Sequence, residues 1–206
     1  MTPIAVIGIE CRFPGDVTSG ENLWDKLVEK NFARSRVPSD LYNFDPFYHP
    51  DEDRYGTTNN DGGHFVTEDI SLFDASFFSI APAEAMAMDS MQRLLLEVTY
   101  EALENSGTPL FREMQRRDME LAPRYQSTSV SQTMLSNRLS YFFDMKRPRI
   151  TLDTACSSGL VTVHLACQSL RTGESSMAVV GGSNLILSPD IQIEMSDMHF
   201  LSPDSI

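Results

Sequence analysis

The residues in this 206-residue chain most able to do covalent chemistry lie in Asp153-Thr154-Ala155-Cys156-Ser157-Ser158-Gly159, where an apolar run gives way to a helical pattern. Residues 149–152 (Arg-Ile-Thr-Leu) read as a short strand. Beyond the cysteine, Leu160, Val163, Ala166, Cys167 and Leu170 recur at helical spacing. Cys156 therefore falls at a helix N-terminus, where unpaired N–H groups and the positive end of the macrodipole favour an anion, and so favour thiolate over thiol. The small neighbours Ala155, Ser157, Ser158 and Gly159 leave room for an acyl group, and nearby N–H groups could hold the oxyanion formed when a thioester is attacked. Local pattern alone leaves a second reading open, in which the cysteine is a small buried hydrophobe.

The other candidates are weaker. His49 and His64 sit in a polar stretch and are expected to be solvated or locally hydrogen-bonded rather than metal ligands. His164 is eight residues past Cys156 on the same helix, about 12 Å along its axis, too far for a hydrogen bond. Lys146, Arg147 and Arg149 form a basic cluster near the cysteine, expected as a solvated turn, with contact to an anionic partner as the alternative. Gly181-Gly182 lacks the third glycine of a nucleotide fingerprint. Asp204-Ser205-Ile206 faintly resembles a phosphopantetheine attachment site, but no helix follows it.

Several elements must position the cysteine. Residues 4–9 (Ile-Ala-Val-Ile-Gly-Ile) form an apolar run, the pattern of a buried strand in an α/β sheet, and residues 177–180 (Met-Ala-Val-Val) read as another. Leu23, Trp24, Leu27 and Val28 mark an amphipathic helix over 21–31, with Trp24 expected in the core. Residues 38–64, rich in Pro, Asp, Asn and Gly, read as a long surface loop. Phe73, Phe77, Phe78 and Ile80 cluster before a helix that starts near Pro82 and runs through Met86, Leu94, Leu95, Val98, Ala102 and Leu103 to a stop at Gly107-Thr108-Pro109, its methionines expected to pack. Residues 111–121 are helix-compatible, and 136–143 end a more apolar helix. Strand, nucleophile, helix, strand is an α/β unit.

Composition bounds the rest. The chain is 41% hydrophobic, enough for one sizeable core, with one domain as the default. Its net charge of −13 is concentrated before residue 110, where 19 acidic residues face 7 basic ones. Such a balance excludes the basic footprint that non-specific nucleic-acid binding needs. Three scattered cysteines suggest neither a disulfide framework nor a zinc site, and the N-terminus has no signal-like or membrane-spanning run. A soluble, cytoplasmic protein is expected.

The segments 153–158, 163–171 (Val-His-Leu-Ala-Cys-Gln-Ser-Leu-Arg) and Gly181-Gly182-Ser183-Asn184 closely resemble the active-site region of β-ketoacyl synthases, specifically the ketosynthase domains of modular and fungal iterative polyketide synthases. The likeness continues through Ile4-Ala5-Val6-Ile7-Gly8, Cys11-Arg12-Phe13-Pro14-Gly15, Leu23-Trp24, Phe73-Asp74-Ala75-Ser76-Phe77-Phe78, Gln92-Arg93-Leu94-Leu95-Leu96-Glu97 and Ala102-Leu103-Glu104-Asn105, covering nearly the whole chain. It implies the N-terminal half of a thiolase-like fold, a mixed sheet covered by helices, over 1–206. It also implies that Cys156 accepts an acyl group and condenses it with a malonyl-type thioester on acyl carrier protein, without a cofactor or metal. The ketosynthase dimer uses elements of this half, so homodimer formation is open to the chain.

The pattern also departs from the family. The two histidines that serve decarboxylation there, one in His-Gly-Thr-Gly-Thr and one after Asn-Ile-Gly, are not in this sequence; His199 aligns with a loop of no catalytic role. A strand of the type Gly-Val-Phe-Val-Gly is missing near 109–111, and Arg147-Pro148-Arg149 stands where the family has Gly-Pro-Ser, which strains Arg147 if that glycine has positive φ. These absences keep open a reading as a non-catalytic remnant or an association module that pairs with another ketosynthase chain.

Overall fold

The computed structural model describes residues 2–107, 131–146 and 148–202. The missing strand near 109–111, the helix over 111–121, the residue Arg147 and the segment 204–206 all lie outside the described residues. The chain divides into two compact units, Met1–Glu10 with Asp69–Asn184 and Cys11–Glu68 with Leu185–Ile206.

In the first unit, Pro82 in the opening turn of α1 (Pro82–Ala87) supplies a helical φ where no N–H is needed. The backbone then turns extended at Met88, and Asp89 starts α2 (Ser90–Asn105), its carboxylate accepting from the Met91 N–H at 2.7 Å. The single helix expected here is thus two, because the aspartate offers a cap that competes with continuing the helix. The core forms where α2 meets α3 (Met134–Phe142): Phe78, Met88, Leu96, Leu103, Leu139 and Phe143 are buried together, with Leu96 only 1% exposed. Phe73 stacks on Phe78 at 5.1 Å, and Phe142 meets Phe78 at 4.9 Å, so the aromatic cluster closes this core. Beside it Arg138 pairs with Glu84 and donates to the Gln92 side-chain oxygen Oε1, each at 2.6 Å. Met88 packs as expected, whereas Met86 is exposed. The last helix of the unit is α4 (Ser158–Thr172), which ends at Gly173 with φ +75°, a left-handed cap that glycine takes without strain.

The segments expected as strands at 4–9, 149–152 and 177–180 join no ladder among the described residues. Their apolar side chains stay in contact with water, Val6 82% exposed. A strand requires a partner for its alternate N–H and C=O groups, so apolar sequence alone does not produce one. The N-terminal segment is nonetheless docked: a Cβ on Gly8 would lie 2.2 Å from the Ala102 carbonyl oxygen of α2.

The second unit holds a two-stranded antiparallel sheet of β1 (Arg34–Arg36) and β2 (Gly62–His64), in register Arg34↔His64. Arg34 and Arg36 both reach Asp61, at 2.7 and 3.3 Å, and the Arg34 hydrogen bond holds the Asp61 carboxyl below the usual carboxylate range. The expected loop at 38–64 therefore contains a strand and a 3₁₀ turn at Asp45–Phe47. Polar contacts fix α6 (Asp190–Asp197) to that loop: Tyr42 donates to Gln192 at 2.5 Å, Gln192 donates to the Gly62 carbonyl at 3.0 Å, and Ser196 to buried Thr58 at 2.7 Å. The helix α5 (Gly20–Val28) is capped by Ser19, which accepts from the Asn22 N–H, and buries no residue. Trp24, expected in the core, is 67% exposed. Of its apolar face Leu23 is partly buried, and Lys26 pairs with Asp16 at 3.0 Å.

Candidate active site

The residues before α4 do not run straight from a strand into a helix. Ala155 takes a left-handed conformation, φ +54°, which costs an L-residue with a Cβ about 1–2 kcal/mol and which only a small or polar side chain tolerates well. The resulting sharp turn sets Cys156 at the surface, two residues ahead of the first helical residue, Ser158. The buried-hydrophobe reading of Cys156 is therefore excluded: its thiol is exposed.

The turn is stitched by side chains from both sides. Asp153 Oδ1 accepts from the Ala155 N–H at 2.7 Å. The Ser158 hydroxyl accepts from the Thr154 N–H at 2.8 Å and donates to the Ala155 carbonyl at 2.8 Å. Ser157 adds a bond from its hydroxyl to the Thr154 carbonyl at 2.9 Å. Upstream, Thr151 shares a 2.7 Å hydroxyl contact with Ser136 of α3, which ties the approach to the cysteine to the packed part of the unit. Among the described residues the first-turn N–H groups of Gly159 and Leu160 have no acceptor, as expected of a helix start without a side-chain cap. The arrangement presents an accessible thiol beside the positive end of a 15-residue helix, suited to forming a bond with an electrophilic carbonyl.

Sequence spacing located Cys156 but not its supports. Asp153 and Ser158 lie in the motif, and the signal for their role is short polar side chains flanking a turn. His164 lies exposed on α4. The other three histidines belong to the second unit, where the His49 Nδ1 accepts from the Asp51 N–H and the His199 Nε2 is 4.0 Å from Asp53. No three His, Cys, Asp or Glu among the described residues are grouped to hold a metal ion. Of the basic cluster, Lys146 pairs with Asp144, while Arg149 is exposed and makes no ion pair among the described residues. Both cations border an open cavity of about 590 Å³ with Tyr141, Met145 and Pro148.

The family model described as "Beta-ketoacyl synthase, N-terminal domain" matches residues 1–206. The chain belongs to the β-ketoacyl synthase family. This ketosynthase-family chain is 47% identical to compactin diketide synthase mlcB of Penicillium citrinum over its whole length, and 44% identical to the highly reducing polyketide synthase azaB of Aspergillus niger over 99% of it. It spans only 9% of either relative. Among solved structures it resembles an oxazolomycin ketosynthase domain of Streptomyces albus JA3453, with TM-score 0.83 at 31% identity, and the module 6 ketosynthase of the bacillaene synthase of Bacillus subtilis 168, with TM-score 0.80 at 32%. Those likenesses cover 96% and 97% of this chain but 37% and 35% of the ketosynthase chains. The architecture is accordingly a partial α/β fold of the thiolase-like ketosynthase type. No helix among the described residues is long and apolar enough to cross a membrane.

Proposed function

We propose that Cys156 is the acyl-accepting nucleophile of a cytoplasmic ketosynthase of polyketide biosynthesis, acting on thioesters presented by an acyl carrier protein. The observation that carries this reading is the exposed thiol on a strained turn at the start of α4. Its thiolate attacks the thioester carbonyl carbon, a tetrahedral oxyanion forms near the helix-start N–H groups, and the carbon–sulfur bond to the carrier breaks. The carrier thiolate leaves and takes up a proton from water, so the products are an acyl-Cys156 thioester and a free carrier thiol. In a complete ketosynthase a malonyl-type thioester then loses carbon dioxide and attacks that acyl group. Of these two steps, the residues of this chain supply the first, the transfer of the acyl group to Cys156.

On this reading residues 1–206 are one N-terminal ketosynthase part with an internal gap near 109–111. The match to the compactin synthase extends over 223 residues against 206 in this chain, a length that accommodates such a gap. A second reading, as an association module for another ketosynthase chain or a second copy, is favoured by one observation: α4 buries none of its side chains, and Leu160 on it is 77% exposed.

Incubation with a hexanoyl thioester followed by peptide mass spectrometry tests the first reading. An acyl adduct on the Cys156 peptide, absent in Cys156→Ala, is the expected result. A folded protein that acquires no adduct leaves the non-catalytic readings, a remnant or an association module.

A further inference from the structure

The geometry points to Ser158 as a positioning residue that holds the reactive thiol in place through the backbone, without touching it. This inference rests on the assignment of Cys156 as the nucleophile. Its hydroxyl closes a loop of two hydrogen bonds across the left-handed residue: it accepts from the Thr154 N–H and donates to the Ala155 carbonyl, both at 2.8 Å. A single oxygen that both accepts and donates is required, and among side chains of this size only a hydroxyl supplies it. The alternative acceptor, Asp153 Oδ1, lies 3.5 Å away, so the proton is directed at Ala155. Asp153 instead accepts from the Ala155 N–H at 2.7 Å. Ala155 is thus gripped at both its N–H and its C=O, which is what a strained φ of +54° requires in order to persist.

Removing the clamp lets Ala155 relax toward ordinary backbone angles, and Cys156 swings away from the start of α4. The thiol is then no longer held in its exposed place before the helix start and reacts more slowly. Asp153 also acts in the turn through the backbone. Its contribution here is therefore the hydrogen bond to Ala155, which an asparagine retains.

The experiment measures iodoacetamide alkylation of the intact chain, with the rate at each cysteine resolved by peptide mass spectrometry. Cys11 and Cys167, both partly buried, serve as internal references. Ser158→Ala removes both hydroxyl hydrogen bonds but keeps the 3.1 Å bond from the Ser158 N–H to the Ala155 carbonyl, and is expected to slow alkylation of Cys156 by about threefold to tenfold, with the rates at Cys11 and Cys167 unchanged. Ser158→Thr restores the Cys156 rate, and Asp153→Asn retains it within about twofold. A wild-type rate in Ser158→Ala overturns the inference, and so does a common change at all three cysteines, which marks general loosening. Because alkylation needs no thioester, the two assignments fail separately. A protein that shows the clamp effect but takes no acyl group refutes the acyl-transfer reading alone.

Discussion

Ala155 shows how one backbone angle links stability to reactivity. Glycine is the residue that adopts φ +54° without steric cost, yet the chain uses alanine and fixes it with Asp153 and Ser158. Ala155→Gly is expected to leave the fold intact and raise its stability by up to about 1 kcal/mol in urea unfolding, because the relieved strain exceeds the added freedom of the unfolded chain. Ala155→Val adds a β-branched side chain to the same angle and lowers stability by about 1–3 kcal/mol. If the two variants unfold at the same urea concentration, the left-handed turn does not exist in solution. The neighbouring residues were open to a sequence reading only in part. Cysteine chemistry and the helix period announced Cys156, but hydrogen bonds between residues 153 and 158 depend on a turn whose angles no residue type in the segment dictates.

At the scale of elements, α2 carries the packing of the first unit, and its buried positions Gln92, Leu96, Thr99 and Leu103 fall at helical spacing. Of the apolar residues expected to pack on this helix, Leu103 is buried, whereas Leu94, Leu95, Val98 and Ala102 are only partly buried. The shift arises because two buried positions are polar: Gln92 accepts from Arg138, a contact no hydropathy pattern reveals. Leu96→Ala removes a side chain 1% exposed and is expected to cost about 2–5 kcal/mol, whereas Met86→Ala, at an exposed position of the preceding helix, changes stability by less than about 0.5 kcal/mol. Equal losses at the two sites would refute the core as described. The strands present the reverse case. Their apolar runs were legible, but a ladder is a property of two segments, and segments 4–9, 149–152 and 177–180 find no partner among the described residues.

For the molecule as a whole, the consequence is apolar surface in contact with water. Val6, Ile7, Ile9, Ile150, Leu160 and Val163 are all more than about two-fifths exposed, an unusual concentration for residue types that normally lie inside. The purified chain is expected to enhance the fluorescence of anilinonaphthalene sulfonate severalfold in native buffer and to self-associate as its concentration rises, despite a net charge of −13. Sedimentation velocity measures the second effect. A monomer at every concentration, with no dye binding, shows that these side chains are covered in solution. The relatives place the finding in context, since the chain corresponds to little more than a third of a solved ketosynthase chain.

The sequence by itself determined the family and the place of the proposed nucleophile, because both reside in contiguous motifs: a helix period, a strand-like run and a cysteine between them are properties of residue order. Tertiary structure alone decided the exposure of Cys156, the left-handed angle at Ala155, the burial of Gln92 beside Arg138, and the want of a ladder partner for three apolar segments among the described residues. Each of those depends on which distant groups satisfy a backbone angle, a buried polar atom or a strand edge. Apolar spacing states what a segment prefers to bury. Only the presence or absence of a partner decides whether it does.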